Sequence, residues 1–559
     1  MTYNNIKFLF KDGHRIILLL VLCLFGLCLA ASSVVPRTKG KRAADDERVY
    51  LVHADELKYD AYGLNPHAQI AKGSVHFRHK GANLWCDSAY FFQEDNAMQA
   101  FGHVRFRQGD TLSLTCDYAE YDGMEQMMMA RRNVVMKHRG RTLYTDSLNY
   151  DRLYSYAYFF EGGELVDGGD KLVADWGEYN TATKQAAFFY NVRMLSDKQV
   201  ITTDSLYFDT EQSVAHVTGP SRITSDGSVI NTENAYLNTE TDLARFFSRS
   251  TITDKEKTIT GDSLYHNSET GINEGNVVYT DTLNKNELIC DRLFYNEKTG
   301  YGYATENVLL KDFSQKPDTL YMHSDSLKIY TYNINTDSVY RKVHGFRKVR
   351  VYRTDVQAVC DSLVFNSADS CLTMYHDPIV WNANRQLLGE RIEVYMNDST
   401  VRLARVIGQA LSVELVDKEN HYDQVSSRVM DAFFTDGALR RLVSTGNVKS
   451  VYYISDDNDS TLSNLNYIET DTMRLFMTAE RKLEKIWAPK AVGTIYPMTQ
   501  IPPERYKLPE FAWFEEIRPV NPADVFNWRG KSEDEKLKIV ERQQAPLQRL
   551  RGRGGGGER

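Results

Sequence analysis

The sequence predicts an elongated all-β protein built from about 14 tandem two-strand repeats. Three observations carry this. A short motif returns at a fixed step along most of the chain. Residues of β propensity dominate, with aromatics at 12% (34 Tyr, 25 Phe) and frequent Val, Ile and Thr. The apolar pattern around each motif alternates with a period of two, broken once per repeat.

In its fullest form the motif reads Asp-Ser-Leu-x-aromatic. With the acid as position zero, it falls at Asp55, Asp87, Asp117, Asp146, Asp175, Asp204, Glu233, Asp262, Asp291, Asp325, Asp361, Glu390, Asp431 and Asp471. From Asp117 to Asp291 six successive steps are each 29 residues, and the other steps run from 29 to 41, as loop insertions produce. Position −3 is aliphatic (Leu84, Leu114, Leu143, Leu172, Ile201, Ile259, Leu288) and position −1 is small (Cys86, Cys116, Thr145, Ala174). Position +2 is mostly Ala or Leu (Ala119, Leu148, Leu206, Leu264, Leu293). Position +4 is mostly aromatic (Tyr121, Tyr150, Tyr179, Phe208, Tyr295). Asp431 fits the upstream flank poorly.

Alternate residues of a strand face opposite sides, so −3 and −1 share a face, as do +2 and +4. The apolar parity switches across the acid. One extra residue must be absorbed there, by a β-bulge or a corner. The strand then bends at the acid and keeps one face inward on both sides. The acid points outward and can accept hydrogen bonds from freed backbone donors. About 16 residues further on comes a Gly/Asn-x-Val signal, as in Gly102-His103-Val104, Arg132-Asn133-Val134, Gly275-Asn276-Val277 and Gly446-Asn447-Val448. Gly and Asn tolerate the dihedrals of a kink. Each unit therefore reads as two bent strands joined by a turn such as Asp122-Gly123. Stacked units bury one apolar interior between two facing sheets. With two strands per unit about 4.8 Å apart, 14 units span on the order of 130 Å.

The chain has 559 residues and a formal net charge of −8. Without a basic stripe it is a poor nucleic-acid partner. Lys7, Lys11, His14 and Arg15 precede an apolar run from Ile16 to Ala31, so residues 1–31 read as a signal peptide or retained anchor. A linker (32–49), the repeats (50–500), a Pro- and aromatic-rich cap (501–530) and a charged, disordered tail (531–559) follow. The alternative for the Pro-rich segment is a docking peptide. Export makes the mature chain soluble or peripheral, outside the cytoplasm. The five cysteines beyond the apolar run are widely spaced, fitting neither a disulfide framework nor a zinc site. No nucleophile elbow, metalloprotease helix, P-loop or Rossmann fingerprint occurs. Repeated equivalent acids are structural rather than catalytic, since an active site needs one special pair. The expectation is no enzyme, no cofactor and no metal.

The inward residues have two readings, a filled core or an open groove. Here the tandem aliphatic-x-small-Asp-x-(Ala/Leu)-x-aromatic strand followed by Gly-Asn-Val, behind an export signal, resembles the OstA-like (LptA-type) family of lipopolysaccharide transport. The resemblance covers roughly residues 50–500. It implies an open β-jelly roll, or β-taco, whose apolar groove holds lipid A acyl chains. The lining would be Leu114, Tyr121, Leu143, Tyr150, Leu172, Tyr179, Ile201, Leu206, Phe208, Ile259, Leu264, Leu288, Leu293 and Tyr295. Burial of a methylene contributes roughly 0.8 kcal/mol, so a chain of a dozen carbons binds firmly. The family context also implies a periplasmic bridge that conveys lipopolysaccharide toward the outer membrane. Its partners would be inner- and outer-membrane transport components joined by edge-strand pairing, with end-to-end self-association and attachment to either membrane as further expectations. The competing readings are a structural or adhesive β-solenoid with a filled core and, more weakly, a polysaccharide-acting β-helix enzyme.

Overall fold

The computed structural model describes residues 47–529, apart from Leu64, Asp226, Asp242 and residues 315–316, 398–399, 456–460 and 480–482. The targeting segment, most of the linker and the tail lie outside the described residues. Antiparallel strands run from Tyr50 to Pro497 and join into one continuous sheet. The sheet is folded lengthwise along a line of corners.

Each corner sets two residues against one. Phe101 pairs with Tyr118 and Val104 with Cys116, so Gly102 and His103 together face Asp117. Arg132 and Asn133 face Asp146 in the same way. The paired residues take the left-handed conformation in succession: Gly102 at φ 76° and His103 at 42°, Tyr190 at 65° and Asn191 at 52°, Gly446 at 83° and Asn447 at 50°. Two left-handed residues turn the strand through the corner and absorb the parity switch. In the strand Ala82–Phe92, residues 82, 84 and 86 are buried, then 89 and 91. The first residue beyond the kink is commonly a fully buried valine, such as Val104, Val192 or Val277, each 0% exposed.

The acid faces outward as expected, but its partners are chiefly side chains. Asn133 Nδ2 donates to Asp117 at 2.6 Å, Asn191 to Asp175 at 2.6 Å, Asn276 to Asp262 at 2.7 Å and Asn307 to Asp291 at 2.5 Å. His103 Nδ1 takes this place against Asp87. The bonds from Asn276 and Arg249 hold the Asp262 carboxyl below the usual carboxylate range. Asn thus meets two demands at the corner, a tolerated left-handed backbone and a donor for the acid. One backbone donor also contributes, Asn133 N to Asp146 at 3.1 Å.

The thirteenth unit corrects the sequence register. Its corner residue is Arg428, facing Gly408-Gln409 and Gly446-Asn447, not Asp431. Val425 and Ser427 then take positions −3 and −1, and Met430 and Ala432 take +2 and +4. An acid three residues downstream drew the motif off because a cation stands where every other unit has an acid. Asp431 instead receives Arg405 on the outer face, at 2.7 Å.

The arms before the acids form a first wall and the arms after them a second wall. The walls join along the corners and part along a mouth edged by hairpin turns. Two large apolar clusters fill the space between them, one from Val49 to Leu264 and one from Ile259 to Leu442. Ile252 packs against both, so the interior is continuous. At the ends, Tyr50–His53 and Glu56–Tyr59 pair with Gln69–His79, and Leu483–Trp487 and Val492–Pro497 pair with Leu462–Met477. Among the described residues these four strands have no second partner. Val52, Leu57, Val492 and Ile495 are more than half exposed there.

The segment from residue 501 to 529 lies along the outside of the first wall rather than across the last rung. It runs back over five units and meets a buried polar side chain on nearly every one. Gln424 accepts from Leu508 N at 2.8 Å and donates to Tyr506 O at 2.9 Å. Gln386 does the same with Phe514 N and Ala512 O, at 2.8 and 2.9 Å. Gln357 accepts from Arg518 at 2.8 Å. All three glutamines occupy position −4 of successive units. Arg350, 0% exposed, donates to Ile517 O and to Asp524. Burial lowers its pKa to about 10, which leaves it charged at neutral pH. Phe514, Ala512 and Ile517 pack with Trp381, Leu388 and Val413 beneath this strap.

Two outcomes are expected. In Gly102→Val, a β-branched residue would sit at φ 76° with its Cβ 2.4 Å from Asp87 Oδ2. Denaturant midpoints should show a loss of about 1–3 kcal/mol, larger than that of Asp87→Asn. Arg350→Met removes one of the two cations that hold buried Asp524, Arg529 being the other, together with the bond to Ile517 O. Residues 501–529 should then exchange backbone amides faster with deuterated solvent while the wall beneath them stays protected.

Candidate functional site

Thirteen of the fourteen residues expected to line a groove are inward and 0–8% exposed. Tyr295 is the exception, part-buried at its mouth position. The structure therefore brings all fourteen to one interior surface. Leu114 through Leu264, except Ile259, fall in the first cluster; Ile259, Leu288 and Leu293 fall in the second. Cys86, Cys116 and Cys290 lie inside the corners, where burial pushes their thiols up to about 12. They act as small apolar residues there and are poor nucleophiles.

The mouth differs between the two halves. In the first half the +4 residues Phe91, Tyr121, Tyr150, Tyr179, Phe208 and Leu237 are all at most 5% exposed. Five of the six are rings, long enough to reach across. Polar latches tie the lips together beside them. His79, at the first lip, shares a 2.7 Å hydrogen bond with Tyr121 Oη of the second wall. Arg152, at the second lip, donates to Tyr121 Oη at 2.5 Å, to Gln108 at 3.1 Å and to the Lys80 carbonyl at 3.1 Å. With Arg152 donating to it, the Tyr121 hydroxyl is left to donate to His79. Further along, His138 meets Tyr179 Oη at 3.0 Å, and Arg141 reaches across to the Thr210 carbonyl. Burial raises the Tyr121 and Tyr179 hydroxyls and lowers the His138 imidazole. All three are neutral at pH 7, as a dry latch requires.

In the second half the corresponding residues Tyr295, Ile329, Phe365, Val394 and Leu475 are only part-buried, and Ala432 alone of this set is buried, as a methyl too short to reach across. Several are shorter than the rings of the first half and leave the mouth less covered. Inward positions such as Val343, Leu372, Val380 and Val425 pack on the core while keeping some exposure. Near the far end, Asp423 accepts from Tyr453 N at 2.8 Å, and burial pushes its carboxyl up to about 7. In the turn before it, Asp417, Glu419 and His421 bring ligand atoms within 4.8 Å of one another. His421 Nδ1 is bonded to Asp417 at 2.7 Å, so the group already closes the turn on itself.

The profile of the OstA-like protein family matches residues 46–204. That stretch is OstA-like. It comprises the first six acids, Asp55 to Asp204, and their corners. The same two-against-one corner continues beyond the matched residues to Asp471. OstA-like domains belong in general to a family of lipopolysaccharide-transport-type β grooves. Comparison with curated proteins finds no match. No described helix is long and apolar enough to cross a membrane.

The latches and the strap were missed by sequence reasoning. The strap had a signal, because Gln at −4 recurs only where it lies, while earlier units carry Asn83, Ser113, Thr142 and Lys171 there. The latches had none, since His79, His138, Arg141 and Arg152 are scattered relative to the motif.

Asp423 has a raised pKa in the fold, so the folded state holds its proton more tightly than the unfolded chain. Its contribution is full below the unfolded value near 3.8 and is lost as pH rises toward about 7. Denaturant midpoints should fall for the wild type as pH rises from about 4 to about 7, the window those two values bracket. Asp423→Asn should flatten that fall.

Proposed function

We propose that this protein is a periplasmic lipid-binding bridge that conveys lipopolysaccharide between the inner and outer membranes, with its acyl chains held between the two walls. The observation that carries this reading is the continuous apolar interior, closed along the corners, joined at the mouth only by side chains, and bounded at both ends by strands that pair on one side among the described residues. The OstA-like match to residues 46–204 supports the same class of cargo. The open end strands offer backbone donors and acceptors to neighbouring transport components or a second copy of the chain. This reading requires no chemistry of any residue.

The test is a competition in solution. The purified full chain should bind a fluorescent fatty-acid probe, and purified lipopolysaccharide should displace it. Val394→Asp, which places a charge at the mouth, should weaken probe binding about tenfold or more, given the cost of moving a carboxylate into contact with an acyl chain. Ser205→Asp, outward beside Asp204, should leave binding unchanged. Failure of the wild type to bind the probe would favour a second reading, a structural solenoid, which the closed packing of the first half also supports.

A further inference from the structure

We infer that the two halves of the interior are not equivalent. Acyl chains are taken up at the mouth of the second half, around Tyr295, Ile329, Phe365 and Val394, and the first half is a latched section that opens only as a chain is passed along it. This rests on the lipid-conveying reading.

Three independent observations converge. The mouth residues of the first half are large rings that close it, whereas those of the second half are part-exposed and mostly smaller. The latches that span the lips, from His79 through Arg152 to the Arg141–Thr210 bond, lie between residues 79 and 210. The strap braces the outside of the first wall from His323 to Leu465, behind the less covered part of the mouth. Sheets that are free to approach interdigitate their side chains at about 10 Å. A wall held from outside by Gln357, Gln386, Gln424 and Arg350 is less free to swing inward, which fits the part-exposed inward residues Val343, Leu372, Val380 and Val425 of the second half.

The latches suit a reversible closure. They are hydrogen bonds between neutral hydroxyl, imidazole, amide and carbonyl groups, with Arg152 and Arg141 as the cations. Each exchanges for a bond to water at small net cost, more for the bonds from Arg152 and Arg141 than for the neutral ones. Burial of an acyl chain's methylenes is favourable along its whole length, so a chain advancing from the second half can displace several latches in turn. A chain in bulk solvent meets them closed.

The experiment places a small aliphatic diazirine residue at Leu206 in the latched half or at Ile329 in the open half, in the full chain. Each protein is mixed with purified lipopolysaccharide, irradiated after a short interval, and scored for adducts. The wild type should give adducts at Ile329 well before Leu206. The double variant Tyr121→Phe/Tyr179→Phe, which keeps the rings and removes both hydroxyl latches, should raise early adducts at Leu206 about tenfold, the population shift that 1.4 kcal/mol produces. Arg141→Gln serves as a second, independent unlatching, and thermal unfolding confirms that each variant is folded. Equal early labelling of both sites in the wild type would overturn the gated arrangement while upholding lipid binding. So would an unchanged Leu206 signal in both unlatched variants. No adducts at either site in any folded protein would overturn the lipid reading itself.

Discussion

Two consecutive left-handed residues facing one acid govern everything else in this molecule. The pair turns each strand while holding the same face inward, which lets one sheet serve as both walls of a narrow interior. The acid accepts the outer hydrogen bond that steadies the turn. The constraint explains why Asn follows Gly or a bulkier residue so often at the kink. A left-handed backbone at a non-glycine residue costs of order 1–3 kcal/mol, and Asn lessens that cost while donating to the acid. Val then seats the strand in the core on the far side.

Because the two walls are joined through the backbone only at the corners, the opposite edge is where the two halves differ. Aromatic residues and latches close it over the first half, and shorter side chains leave it looser over the second. The strap stiffens the outer face behind that looser half by reading backbone with buried amides, not by forming a further strand. The first stretch of the interior is therefore packed more tightly at its mouth than the second.

The repeat, the parity switch and the inward residues were legible because each is a local pattern multiplied many times. A single unit misled where Arg428 replaced the acid and Asp431 stood close enough to mimic it. The cap was read as end-on because a Pro- and aromatic-rich composition says that a segment packs but not where. Its track is set by Gln357, Gln386 and Gln424, whose common position shows only once the register is correct. The latches could not be read at all. His79 and Tyr121 are 42 residues apart and belong to opposite lips, so their meeting depends on how far the walls close.

The corner also makes the length of the molecule adjustable. Since each unit contacts chiefly its neighbours, inserting or deleting one whole unit leaves every other corner and both terminal edges unchanged. Such a change would alter the reach by about 10 Å, two strand spacings. The protein is in this respect graduated in repeats, and outside the five units that the strap crosses its length can change by whole units.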